Sequence, residues 1–157
     1  MLGSQILLAS NPRGIFLEGT VYGTPSPGVI MELYTTAVAG GRDTYRVYTP
    51  GTNGLRRLPA VLLEPFHGAI YNTAYVSGER CRLYIPAIGE ELNLLTLDVG
   101  TGTSETLTKT QIYTVATGSG KLIVGTGEEE WRPFIQLEDS LSVLATTGSL
   151  AHVMFMG

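Results

Sequence analysis

The chain has little of what most chemistry and most surfaces are made from. It holds one cysteine, Cys81, and two histidines, His67 and His152. It also has only two lysines, Lys109 and Lys121, and charged residues make up 15% of it. One cysteine excludes an intrachain disulfide and fits a reducing compartment. Isolated histidines and a lone cysteine give no zinc-ligand spacing, so no metal or other cofactor is expected. Few basic residues exclude the phosphate-neutralising clusters that nucleic acid requires; Arg56-Arg57 and Arg80/Arg82 are the densest basic spots, and the net charge is −4. No apolar run of about 18 residues exists to span a membrane. The stretch Met1 to Ala9 lacks the basic start and long apolar region of a signal peptide.

A chain of 157 residues, 43% of them hydrophobic, is long enough to bury a core without cross-links. The charged fraction falls well below the roughly 25% usual for soluble domains. The surface is then covered by Thr, Ser, Gly and neutral backbone, or part of it lies against another protein; charge depletion at obligate interfaces favours the second.

Short apolar runs rich in Val, Ile, Thr and Tyr alternate with Gly, Pro, Asn and Asp about every ten residues. Thr110 to Val124 is the clearest case. Ile112-Tyr113-Thr114-Val115 and Leu122-Ile123-Val124 flank Gly118-Ser119-Gly120, which predicts a hairpin whose turn needs positive φ. Similar runs predict strands over 15–22, 29–35, 44–48, 60–64, 74–76, 81–85, 90–97, 134–138 and 151–156. Leu137, Leu141 and Leu144 have helical spacing, which allows one short helix over 139–147. The expected fold is all-β and mainly antiparallel, a small barrel or sandwich with at most one short helix. Residues 1–14 form an extended N-terminal arm and residues 15–157 a single β-rich domain. No internal sequence repeat is visible.

Candidate chemistry is sparse. Gly118-Ser119-Gly120-Lys121 superficially suggests a phosphate loop, but Leu122 stands where Ser or Thr would hold Mg²⁺. Neither histidine accompanies a Gly-x-Ser-x-Gly elbow. Cys81 lies in an alternating run and reads as a small buried strand residue. Glu90 and Glu91 would point to opposite faces if extended, and Glu128-Glu129-Glu130 reads as a solvated loop. Tyr45, Tyr48 and Trp131 could form a sugar-stacking platform, but core packing and interface anchoring are the stronger readings of these aromatics. No catalytic residue is assigned.

Several stretches, in this order, carry a resemblance. They are Gly14 to Gly19, Thr24 to Met31, Ala60 to Glu64, Ala74 to Arg80, Tyr84 to Leu92, Gly118 to Ile123 and the ending His152 to Gly157. Together they resemble the capsid decoration, or cement, proteins of tailed bacteriophages. The resemblance implies a non-enzymatic virion protein, made in the host cytoplasm. Such a protein binds the major capsid protein on the exterior of the expanded shell and stabilises it, often as a homotrimer. It implies no particular functional residues. Candidate capsid or inter-subunit contacts are Ile6, Leu7, Leu8, Arg13 and Phe16, because an apolar arm can add a strand to a neighbour. The alternative is an arm folded onto its own domain. Two other functions compete: a fibre or tail module with a carbohydrate-binding face, and a small β-barrel enzyme.

Overall fold

The computed structural model describes residues 6–8, 11–35, 42–48, 60–65, 73–96, 105–116, 118–124, 132–143 and 149–157. Among these residues the chain is entirely β, without a helix, and its strand pairs are mostly antiparallel. The first five strands are β1 (Ile15–Val21), β2 (Ile30–Thr35), β3 (Thr44–Val47), β4 (Ala60–Leu62) and β5 (Arg80–Ile85). They close into a barrel in the order β1-β3-β2-β4-β5. There follow β6 (Glu91–Thr96), β7 (Glu105–Thr108), β8 (Ile112–Val115), β9 (Leu122–Val124), β10 (Phe134–Gln136), β11 (Ser140–Val143) and β12 (Ser149–Phe155). Of these, β6, β9, β8, β10 and β12 close a second barrel, while β7 and β11 form a two-stranded sheet.

The two rings share one topology. Read from its first strand, each runs first, third, second, fourth, fifth, and in each the first and third strands form the parallel pair. Both parallel pairs include a threonine: Thr20 pairs with Thr44, and Thr96 with Leu122. Closure leaves neither ring an open edge, which removes the usual template for unwanted strand pairing. The repeat is invisible in the sequence because a barrel fixes only where side chains alternate and where turns fall; which apolar residue fills each inward position is left open.

The expected hairpin forms. Strands β8 and β9 pair with Tyr113 opposite Val124 and Val115 opposite Leu122, and Gly118 and Gly120 both have positive φ. Two expectations are corrected, and one strand is added. Residues 74–76 form no strand: Tyr75 donates its N–H to the Pro25 carbonyl at 2.9 Å and its hydroxyl to the Leu63 carbonyl at 2.8 Å, anchoring an extended segment outside any ladder. The helix allowed over 139–147 does not form in its described part, where Ser140–Val143 is strand β11. There Ser-Leu-Ser-Val pairs with Glu-Thr-Leu-Thr, Leu141 opposite Leu107, so ladder pairing overrides the helical spacing of the leucines. Strand β7, its partner, is a strand the sequence did not suggest.

Part of the core is common to both barrels. One apolar cluster joins Ile30, Val61, Leu63 and Tyr84 of the first ring's chain segment to Leu92, Leu94, Tyr113, Leu122, Phe134 and Val153 of the second. Strand β6 contributes to both core clusters, with Leu92 and Leu94 in that one and Leu95 in the other. Backbone hydrogen bonds also cross the seam. Gly28 donates to the Leu62 carbonyl at 2.8 Å and accepts from Leu95 at 2.9 Å, and Ile30 donates to the Gly120 carbonyl at 2.7 Å.

Candidate interaction surface

The apolar triplet of the arm is divided between core and surface. Ile6 is completely buried and belongs to the shared cluster. Its N–H donates to Glu64 Oε1 at 2.8 Å, and its carbonyl accepts from Asn93 at 2.8 Å. Glu64 follows β4 of the first ring and Asn93 sits in β6 of the second, so one residue staples both barrels. Leu7 makes an antiparallel bridge to Leu92 and is partly buried. Leu8 is 42% exposed. A backbone bridge on one side and a buried side chain on the other are what tie down a terminal segment.

Further along, the arm is tied to the turn that links the barrels. Glu90 is buried, and its carboxylate collects three donors: the Arg13 N–H at 2.5 Å, the Tyr84 hydroxyl at 2.5 Å and the Ala87 N–H at 2.7 Å. Burial alone would raise its pKa, but those hydrogen bonds win and hold the carboxyl below the usual range. Burial, with the hydrogen bond to Glu90, pushes the Tyr84 phenol up to about 12. A depressed carboxyl contributes stability above its unfolded pKa, and that contribution is lost as pH falls through the folded value. Acid unfolding of the wild type therefore draws on Glu90 below the ordinary glutamate value of about 4.5. In Glu90→Ala the three donors lose their acceptor. The expected cost is on the order of 3 kcal/mol at neutral pH in urea unfolding, with a flatter acid limb.

Large apolar side chains stay exposed around the same knot. Leu8, Ile15, Phe16, Ile88 and Met156 are all exposed, Ile15 to 60% and Ile88 to 69%. Ile15 pairs with Ile85 and Phe16 with Tyr84 on successive rungs of the β1–β5 ladder, so their side chains leave opposite faces, and the Phe16 and Tyr84 ring centroids lie 4.8 Å apart. Arg13 reaches the Ile88 carbonyl through Nη2 at 3.3 Å, and Ile88 packs beside Gly157. Of the five sequence-derived contact candidates, Leu8 and Arg13 line one shallow cleft with Glu90, Phe16 packs on the Tyr84 ring, Leu7 is bridged to Leu92, and Ile6 is buried in the core. The sequence did not flag Ile15, Ile88 or Met156. A large aliphatic between alanine and glycine, as in Pro86-Ala87-Ile88-Gly89, was the available signal.

No protein-family model matches this chain, and no curated protein sequence matches it.

The remaining candidates for chemistry are dispersed. His152 Nε2 meets Glu91 Oε2 at 2.8 Å across the β12–β6 ladder, on the surface and not in a cavity with a nucleophile. Glu90 and Glu91 do face opposite ways, one buried and the other exposed. No group of three or more metal-ligating side chains comes together among the described residues. Tyr45 is buried and Tyr48 packs against the core, so neither offers a flat exposed ring. Arg56, Arg57, His67, Glu128, Glu129, Glu130 and Trp131 lie outside the described residues.

Cys81 is fully buried in β5, and burial pushes its thiol up to about 12. A thiol so raised is not a nucleophile at neutral pH. A raised folded pKa contributes stability that is present below the unfolded pKa and lost as pH rises through the folded one. The protein is expected to lose stability progressively between pH about 9 and about 12. Cys81→Ala should remove that thiol's share of the alkaline loss, while costing packing at neutral pH; melting curves across the range check both.

Proposed function

We propose that this chain is a structural virion protein that binds the exterior of an expanded tailed-phage capsid and stabilises the shell, with the major capsid protein as its partner and a homotrimer as its working form. The observation that carries the proposal is the set of exposed large apolar side chains around the arm junction, Leu8, Ile15, Phe16, Ile88 and Met156. They surround the hydrogen-bonded knot of Glu90, Tyr84 and Arg13, in a chain with few charges. Exposed large apolar side chains on a sparsely charged surface suit a face that another protein covers. The order of motifs that resembles decoration proteins points the same way. Closed rings and a shared core suit a part that must transmit load without rearranging.

The test is co-sedimentation with expanded and with unexpanded capsids that lack their decoration, read beside the oligomeric mass in solution. The expected outcome is saturable binding to the expanded shell, a trimer by light scattering, and binding reduced at least tenfold by Phe16→Asp together with Ile88→Asp in a protein whose melting is unchanged. A monomer that ignores both capsid forms would end the proposal.

A further inference from the structure

The arm junction converges on one acceptor. Arg13 donates its N–H directly to Glu90 Oε1 at 2.5 Å. Gly14 donates its N–H to the Tyr84 hydroxyl at 2.6 Å, and that hydroxyl donates in turn to Glu90 Oε2 at 2.5 Å. Two successive backbone amides therefore end on one carboxylate, one directly and one through a phenol. The chain is pressed against β5 here, since a Cβ on Gly14 would collide with the Ile85 carbonyl oxygen and the Tyr84 side chain.

Every partner of this carboxylate is a donor. The Arg13 and Ala87 amides can only donate, and the Tyr84 hydroxyl already accepts from Gly14. A carboxylate accepts all three, whereas a carboxylic acid brings a proton of its own. On Oε1 that proton would face the Arg13 N–H. On Oε2 it would face the Ala87 N–H, or turn the Tyr84 proton off the carboxylate. Either way a donor is set against a donor, and a buried donor without an acceptor is costly. The titratable and charged side chains around Glu90, among the described residues, are Arg13 of the arm, Tyr84 of β5 and Glu91, which turns the other way to His152. Glu90 also borders the shallow cleft lined by Leu8, Asn11 and Arg13, so protons from solvent reach it.

The rings do not rest on that side chain. The Glu90 carbonyl accepts from Phe155 at 2.9 Å and Gly89 donates to the Phe155 carbonyl at 2.8 Å, which ties the turn to β12 through backbone alone. Ile6 keeps its burial and its bond from Asn93.

We propose that Glu90 is a proton-operated catch: protonating its carboxylate frees residues 13 and 14 from β5 while both rings stay closed. Release also takes Arg13 from the Ile88 carbonyl, so the surroundings of the exposed Ile88 change with it. The hydrogen bonds hold the Glu90 carboxyl below the usual range, so docking persists above that range and is lost as pH falls through the folded value. This goes beyond the capsid proposal and does not depend on it, since the catch is read in the isolated chain.

The experiment follows backbone amide order parameters of the full chain by NMR from about pH 7 to about pH 3. Arg13 and Gly14 are expected to fall from about 0.85 to below about 0.6, with a midpoint under the ordinary glutamate value of about 4.5. Asn93, Val153 and Phe155 should stay ordered throughout. Glu90→Gln puts an NH₂ donor where the acid would carry its proton, so Arg13 and Gly14 should be released in it at neutral pH, with no acid transition left. Glu91→Gln, on the opposite face, should keep the wild-type transition. The wild-type titration reads the catch even if the Glu90 variant fails to fold. The inference is overturned if Arg13 and Gly14 stay ordered to the end of the titration, if ring amides lose order together with them, if Glu91→Gln abolishes the transition, or if Glu90→Gln holds both residues as the wild type does.

Discussion

Gly120→Ala should cost on the order of 3 kcal/mol of folding free energy, although it adds a single methyl group to a turn. Gly120 sits at φ +66, a conformation that L side chains rarely adopt, and a Cβ there would stand 2.4 Å from the Ile30 carbonyl oxygen. The obstacle is backbone, so no side-chain rotation can relieve it. The left-handed conformation accounts for about 1 kcal/mol of the expected loss. The rest comes from pushing the turn off the first ring, which stretches the 2.7 Å hydrogen bond from Ile30 to the Gly120 carbonyl. Gly118 provides the control. It has φ +78, yet a Cβ there meets nothing within 4 Å. Gly118→Ala should therefore show only the conformational cost of about 1 kcal/mol. Urea unfolding of the two variants separates strain within the turn from loss of the seam. Equal effects would mean that Gly120 is a turn residue and nothing more.

Ile6→Ala should be the second severe substitution, at about 2–5 kcal/mol, the range for truncating a large aliphatic in a packed core. Few residues so near the start of a chain carry that weight. Ile6 does because its side chain is fully enclosed between the barrels and approaches Gly28, whose backbone spans the seam. Leu8→Ala, two residues on and 42% exposed, should be nearly silent for stability. Under the proposed function it is instead expected to lower affinity for the capsid. Chemical denaturation of the pair, read beside a capsid-binding assay, separates the arm's structural residue from its surface residue. If Ile6→Ala left stability untouched, the arm would not be part of the fold.

Both substitutions act at the same place, which defines the mechanical logic of the molecule. Each ring closes on its own hydrogen bonds. The rings are then held to one another by a shared apolar cluster, by the Gly28 and Gly120 backbone contacts and by Ile6. Close backbone approach calls for glycine at such positions, and a dry seam calls for an aliphatic plug.

The sequence by itself determined the class of fold and most strand positions. Period-two runs bounded by Gly and Pro are local signals, because a strand's inward and outward faces are written in neighbouring residues. Hence β1, β2, β3, β8 and β9 were legible, as were the turn at Gly118–Gly120 and the burial of Cys81. It also offered Ile6, Leu7, Leu8, Arg13 and Phe16 as candidate contact residues, without separating the buried from the exposed. Tertiary structure alone decided that there are two rings of one topology, that β7 and β11 pair, and that Ile6 faces inward while Leu8 faces out. It alone brought Glu90 to Arg13 and Tyr84. The reason is the separation of the partners along the chain. Ile6 meets Glu64 and Asn93, and Glu90 meets Arg13, 77 residues before it. Strand order and ring closure bring such residues together, and neither is encoded in any short stretch of sequence.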